Sequence, residues 1–155
     1  IAVAAIGITL AAADAHLKAA NLQVAQDNAR FGLELMTKEL RTGSGYHLLG
    51  AVCNSNRPAL RFRTSSNAKR TYYQSGNTLM RIVGNRPCGR AIPLIGNDVI
   101  VDLARFEIGG ENIGPSDGQP WVSISLSVRS ADPKQSFESR MDIQTTVVAR
   151  GRDLL

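Results

Sequence analysis

The sequence predicts an α+β fold, in which one long N-terminal α-helix, about residues 1–42, packs on an antiparallel β-sheet head. Two observations support this prediction. Residues 1–42 contain no proline, so nothing interrupts a helix about 40 residues long, whereas helices in globular proteins average about 11–12 residues. After Gly45 the spacing of apolar residues changes from a helical period to the two-residue period of strands.

The beginning of the helix has the composition of a membrane segment. Residues 1–13, IAVAAIGITLAAA, carry no charge. Thirteen helical residues span only about 20 Å, less than the ~30 Å hydrocarbon core of a bilayer. We therefore expect this segment to be the end of a longer membrane helix, so that the given chain begins inside that helix. Residues 14–155 then form one domain, which consists of the amphipathic part of the helix and the head.

The second half of the helix is amphipathic. Leu17, Val24 and Phe31 repeat every seven residues, and Leu35 follows Phe31 by one turn. Polar side chains gather on the other side of the helical wheel. We expect the apolar arc to cover the head, with Phe31, Leu35 and Met36 buried against the sheet. The run Gly-Ser-Gly at residues 43–45 predicts the end of the helix.

The rest of the chain alternates between apolar and polar residues in short segments. Leu60 and Phe62 alternate with arginines, and Gly76 with Asn77 predicts a two-residue hairpin turn between strands at 70–74 and 79–83. Further strands are predicted near residues 99–108, 122–129 and 140–149, with a phase slip at Ala104 that indicates a bulge. Such half-buried strands favour an antiparallel sheet with one solvent-exposed face.

The two cysteines predict a disulfide. Cys53 and Cys88 both lie in loop-like surroundings, neither belongs to a CxxC motif, and no histidine lies at metal-ligand spacing from either. A bond between them implies an oxidising compartment such as the periplasm or the cell surface. The alternative is a pair of free thiols in a cytosolic protein.

Residues 40–97 contain no Asp or Glu, although they contain nine Lys or Arg residues. A block of one sign is compatible with a solvated basic face, with nucleic acid, or with an acidic neighbouring subunit. Tyr72 and Tyr73 are candidates for stacking on single-stranded bases, but they must point to opposite faces of a strand, so at least one belongs to the core. The candidate basic patch comprises Arg57, Arg61, Arg63, Lys69, Arg70, Arg81, Arg86 and Arg90.

No catalytic constellation is visible, so the sequence predicts neither an enzyme nor a cofactor. The Walker A and GxGxxG motifs are missing, and the run Gly-Pro-Ser-Asp-Gly at 114–118 is explained as a turn. His16 and His47 are far apart, and Cys53 near His47 is better explained as a disulfide partner than as a nucleophile. A loop with oxygen ligands at 111, 112 and 117 matches no EF-hand spacing, so no metal site is predicted.

Residues 26–41, QDNARFGLELMTKELR, resemble the amphipathic half of the spine helix in PilW-type minor pilins and the related J-type pseudopilins of type II secretion. The following turn GSGY at 43–46, the position of Cys53 and the terminal strand TTVVARGR at 145–152 are similar to the same group. Residues 1–13 resemble its membrane segment. The cleavage site, methylated Phe and glutamate of the family would precede Ile1, so the chain is expected to be truncated.

The resemblance implies a structural subunit that helps to initiate assembly at or near the tip of a type IV pilus. Its helix is held in the inner membrane with a periplasmic head until assembly moves it into the filament core, at the cell surface. The partners are other pilins, and Ile6, Leu10, Leu17 and Val24 are expected to contact neighbouring helices. The alternatives are a tip pilin that binds DNA non-specifically through the basic block, a type II secretion pseudopilin, or a membrane-anchored sensor or binding domain.

Overall fold

The computed structural model describes residues 2–110, 118–131 and 139–150, with side chains from Leu10 onward. Helix α1 runs unbroken from Ala2–Arg41, which confirms the predicted long helix. Its 40 residues correspond to a rod about 60 Å long. Across the part of the chain that the structure describes, no helix combines the length and the hydropathy needed to cross a membrane.

The head contains two antiparallel sheets where the sequence predicted one. The first has the order β1 (Ser44–Ala51), β2 (Pro58–Arg63), β3 (Lys69–Ser75), β4 (Thr78–Val83) and β5 (Ile92–Pro93). The second has the order β6 (Val99–Gly109), β7 (Trp121–Ser130) and β8 (Arg140–Val148). A 3₁₀ turn, Cys88–Arg90, lies between β4 and β5. The predicted hairpin turn at Gly76 and Asn77 joins β3 to β4.

The side chain of Gln74 joins the two sheets. Its Nε2 donates to the carbonyl oxygen of Val101 at 2.9 Å, and its Oε1 accepts from the backbone N–H of Ala104 at 2.9 Å. The backbone N–H of Val101 also donates to the carbonyl oxygen of Asn77 at 2.8 Å. The β3–β4 hairpin therefore satisfies main-chain groups along the edge of β6 that β7 leaves open.

The predicted bulge exists, but it lies two residues earlier than expected. The register between β6 and β7 shifts between Val101 and Leu103, so Asp102 is the extra residue. After the shift, Ala104 and Phe106 point into the core and Leu103 is only half-buried. The insertion at Asp102 rather than Ala104 turns a carboxylate toward the arginines of β7 and β8.

The buried stripe of α1 is narrower and smaller than predicted. Met36 is fully buried and Leu35 is half-buried against the core, as expected. The prediction for Phe31 is wrong, because its side chain is 65% exposed. Phe31 lies about 140° around the helix from Met36, so both cannot face the head. The residues that do so are Ala25, Ala29, Gly32, Leu33, Met36 and Leu40.

Small side chains allow α1 to approach the head closely. A Cβ atom added at Gly32 would lie 3.1 Å from Cγ1 of Ile95 and 3.4 Å from the carbonyl oxygen of Leu94. Larger residues then fill the space further along the helix, where Met36 and Leu40 meet the core of Leu60, Phe62, Tyr72, Ile124 and Leu126. The helix is thus fixed to both sheets through one continuous core.

Candidate interaction surfaces

An exposed apolar stripe follows α1 at intervals of seven residues. It consists of Leu10, Leu17, Val24 and Phe31, whose side chains are 65%, 52%, 42% and 65% exposed. Seven residues make almost two helical turns, so the four side chains lie along one slowly drifting line. Residues 10–20 are all exposed, although Oγ of Ser139 in the head donates to the carbonyl oxygen of Lys18 at 3.2 Å. The side chain of Ile6 lies outside the described part.

Glu39 fixes the end of α1 to the first sheet. Its Oε1 accepts from Nη1 of Arg81 at 2.9 Å, its Oε2 lies 3.5 Å from Nε of Arg70, and the hydroxyl of Tyr72 donates to Oε2. Burial, the hydrogen bond to Glu39 and the charge of Glu39 together raise the pKa of the Tyr72 hydroxyl above its usual range. The hydroxyl of Tyr46 completes this junction by reaching the carbonyl oxygen of Leu40 at 2.6 Å.

The ion pairs of Glu39 remove two arginines from the predicted basic patch. Arg70 and Arg81 point to the inner face of the sheet, where both pair with Glu39, so they do not project beside Arg61 and Arg63 as predicted. The reason is strand alternation: on β3 the even-numbered side chains face the helix and the odd-numbered ones face outward. The patch is therefore smaller than the sequence block suggested.

The face of the first sheet that points away from α1 carries Arg61, Arg63 and Lys69, which we call the basic face. Arg63 stands directly opposite Lys69 across β2 and β3, a like-charge arrangement that destabilises a sheet. Their hydrogen-bond partners are neutral: Nη1 of Arg63 donates to Oδ1 of Asn67 at 3.1 Å, and Nζ of Lys69 donates to Oδ1 of Asn85 at 3.3 Å. Among the described side chains, no carboxylate neutralises these three cations.

The remaining members of the predicted patch lie in loops. Arg57 is half-buried before β2, and Arg86 and Arg90 are exposed between β4 and β5. The structure also contradicts the idea that tyrosines stack on bases. Tyr72 is buried in the main core, and Tyr73 is buried on the opposite face of β3 in a second cluster with Ala59 and Ile82.

A disulfide joins Cys53, in the loop between β1 and β2, to Cys88, in the segment between β4 and β5, and confirms the predicted pairing. The two Cα atoms are 5.5 Å apart. Cys53 and its neighbour Val52 pack against the second cluster, on the outward side of the first sheet. The bond therefore holds the β1–β2 loop over an apolar surface that the helix cannot reach.

Sequence reasoning missed two carboxylates that organise the head. Asp102 accepts from Nε of Arg129 at 3.0 Å and from Nη2 of Arg140 at 2.8 Å. Burial alone would raise the pKa of Asp102, but the hydrogen bonds and charges of the two arginines lower it. For Glu39 a signal was present, because it lies between Met36 and Leu40 beside the buried stripe, where a carboxylate requires partners.

The described residues contain no group of three His, Cys, Asp or Glu side chains arranged to hold a metal ion. The loop residues considered for calcium, Glu111, Asn112 and Asp117, lie outside the described residues. His16 is exposed on α1, and His47 is exposed on β1 opposite Arg61.

Comparison of the chain with protein-family models, with curated proteins and with solved structures finds no match.

Proposed function

We propose that the chain is a structural subunit of a filament of the type IV pilus class, a minor pilin or a pseudopilin, and not an enzyme. The observation that carries the proposal is the exposed stripe of Leu10, Leu17, Val24 and Phe31. In the proposed filament this stripe packs against the helices of neighbouring subunits, and residues 1–13 lie in the filament core. The subunit acts at or near the tip, where it helps to start assembly.

The energetics of α1 support a partner for the stripe. A large apolar side chain contributes about 1.5–3 kcal/mol when it moves from water into a fully apolar contact. An isolated helix is marginal in water unless its apolar face packs against something. Residues 10–20 remain exposed beside the described part of the head, so we propose neighbouring helices or lipid as the surroundings that stabilise them.

The disulfide and the long helix support a proposed location. The disulfide between Cys53 and Cys88 is the kind of bond that persists in an oxidising compartment. We therefore place the head in the periplasm while the helix is held in the inner membrane, and at the cell surface after assembly. A pseudopilin of type II secretion would share this geometry, whereas a membrane-anchored sensor would use the helix without entering a filament.

Replacing Leu17 or Val24 by aspartate is expected to prevent assembly. A buried, unpaired carboxylate in a helix interface costs several kcal/mol, so incorporation should fall at least about tenfold. The measurement is the amount of the chain in filaments sheared from the cells that produce it, relative to the total cellular amount. The matched control is Gln23→Asp, an exposed position next to the stripe with the same added charge.

Wild-type incorporation of both stripe variants would contradict the proposal. Absence of the wild-type chain itself from sheared filaments would favour the sensor alternative.

The basic face supports a second candidate, a tip pilin that binds nucleic acid. Three cations without a carboxylate partner form a surface suited to phosphates or to acidic side chains. Because Tyr72 and Tyr73 are buried, binding to nucleic acid would depend on phosphate contacts and would not read sequence. We favour the acidic surface of a neighbouring subunit as the partner.

Reversal of Arg61 and Arg63 to glutamate separates these partners. We expect no gel shift of DNA by the wild-type chain even at ~50 mM salt, because acidic subunits are the partner, while the double reversal reduces filament incorporation. Arg86→Glu with Arg90→Glu, outside the basic face, serves as the charge-matched control. A shift that disappears by ~200 mM salt and is abolished only by the first reversal would establish the nucleic-acid candidate instead.

A further inference from the structure

A groove lies between α1 and strand β8, and its floor is on a different flank of the helix from the exposed stripe. Its volume is about 740 Å³, and it runs beside residues 26–41 of the helix, Thr42 after it, and 141–145 of β8. Leu33, Met141 and Ile143 form its apolar floor. Leu33 lies about 160° around the helix from Phe31, whereas Lys38 on the rim lies seven residues after Phe31 and continues the line of the stripe.

Strand β8 presents an open edge beside this groove. It pairs with β7 along residues 140–148, and no strand pairs with its other edge in the described part of the chain. An open edge carries N–H and C=O groups that are ready to pair with another strand. Nine residues of edge provide about 30 Å of backbone, enough for an extended peptide.

The rim of the groove is strongly basic. Arg30, Lys38 and Arg41 line it from the helix and Arg150 lines it from the segment after β8, against the single carboxylate of Glu34. None of these four cations lies within 4 Å of a carboxylate among the described residues.

Intramolecular pairing explains other arginines but not these. Arg70, Arg81, Arg129 and Arg140 each pair with a carboxylate of the chain. Lys38 and Arg41 are favourable near the C-terminus of α1 because of the helix dipole. The dipole falls off within the last turn, so it does not explain Arg30, which lies nearly three turns further back.

We propose that the α1–β8 groove binds an extended, acidic segment of a partner protein, which adds as a strand to the open edge of β8. Backbone hydrogen bonds to β8 supply affinity, and alternate side chains supply specificity. Apolar side chains of the added strand pack on Leu33 and Ile143, while its carboxylates reach the four cations of the rim. Leu33 and the edge of β8 lie off the stripe, so the inference does not depend on the proposed filament contact.

A designed peptide tests the inference on the full 155-residue chain held in non-ionic detergent. The probe is a nine-residue peptide of alternating Glu and Val, and the charge control has Lys in place of Glu. A third peptide has the acidic sequence with methylated backbone nitrogens, which removes its ability to donate to a strand edge. The readout is the change of backbone amide NMR signals during titration.

The acidic peptide is expected to shift amides of residues 140–150 and 26–42, and to bind at least about tenfold more tightly than the Lys peptide. The methylated peptide is expected to lose most of this affinity. Lys38→Glu with Arg41→Glu, and separately Arg30→Glu with Arg150→Glu, should each weaken binding about tenfold. Arg86→Glu with Arg90→Glu, two exposed positions outside both the groove and the basic face, is the charge-matched control and should leave binding unchanged.

Four results would overturn the inference. Equal affinity for the acidic and Lys peptides would remove the charge argument, and full affinity of the methylated peptide would exclude strand addition. Signal changes confined to the basic face would place the acidic ligand elsewhere. If the same groove amides shift with protein concentration before any peptide is added, the occupant is a second copy of this chain. Unchanged amide dispersion in each variant verifies that it remains folded.

Discussion

Replacing Phe62 by alanine is expected to lower the free energy of unfolding by about 3–5 kcal/mol, whereas Phe31→Ala should change it by less than about 0.5 kcal/mol. The two substitutions remove the same atoms, so each is the matched control for the other. Phe62 is fully buried, while Phe31 is 65% exposed on the helix. The expected difference therefore measures position in the fold and not side-chain chemistry.

The surroundings of Phe62 explain the size of the effect. Its ring lies 6.0 Å from the ring of Tyr46 and 5.5 Å from that of Tyr72, measured between centroids. On another side it meets Gly43, where an added Cβ would lie only 2.7 Å from Cδ2 of Phe62. Alanine at 62 would thus leave a cavity at the junction of α1 and the first sheet, where rigid rings cannot collapse into the space.

Urea unfolding of the oxidised protein, followed by circular dichroism, measures both variants under the same salt and detergent conditions. A loss of about 3 kcal/mol or more in Phe31→Ala would show that Phe31 is a core residue after all. A loss below about 1 kcal/mol in Phe62→Ala would mean that the junction relaxes into the vacated space.

The error over Phe31 has a physical origin. One side of the apolar arc of α1 packs on the head and the other side remains exposed. The periodicity of the sequence identifies the arc but does not specify which of its residues face the head. The helical wheel favours large apolar residues as core candidates, but small residues, Ala25, Ala29 and Gly32, contact the head. Their role depends on the close approach of Ile95, which no local pattern in the sequence records.

The division into two sheets escaped prediction for a similar reason. Alternation correctly identifies half-buried strands and the hairpin at Gly76, because these depend on neighbours in the chain. It does not specify which distant strands pair. The junction depends on two hydrogen bonds of the Gln74 side chain, which donates to the carbonyl oxygen of Val101 and accepts from the N–H of Ala104, about 30 residues further along the chain.

The basic block shows how a one-dimensional charge count can mislead. The acid-free segment begins at residue 40, directly after Glu39. That carboxylate is nevertheless the partner of Arg70 and Arg81, because the chain after α1 returns and brings β3 and β4 beside the end of the helix. On the strands, the outward-facing members of the block, Arg61, Arg63 and Lys69, retain the character that the sequence suggested.

Removing the disulfide is expected to cause a loss of stability as large as that of Phe62→Ala. Cys53 and Cys88 are separated by 35 residues, and closing a loop of that length contributes about 4 kcal/mol in the chain-entropy model. The double variant Cys53→Ser with Cys88→Ser should therefore lower the free energy of unfolding by about 3–4 kcal/mol. The second cluster of Ala59, Tyr73 and Ile82 should become more exposed, because the β1–β2 loop is no longer held over it.

Urea unfolding of the oxidised wild type and of the double serine variant measures this loss. Wild type in the presence of a reductant is the control, and it should lose the same amount because it lacks the bond but keeps both sulfurs. A loss below about 1 kcal/mol in both would mean that the bond does not constrain the unfolded chain. Alkylation of protein that has never met a reductant then connects stability to location: blocked thiols at positions 53 and 88 agree with the proposed periplasmic head, whereas two free thiols would contradict it.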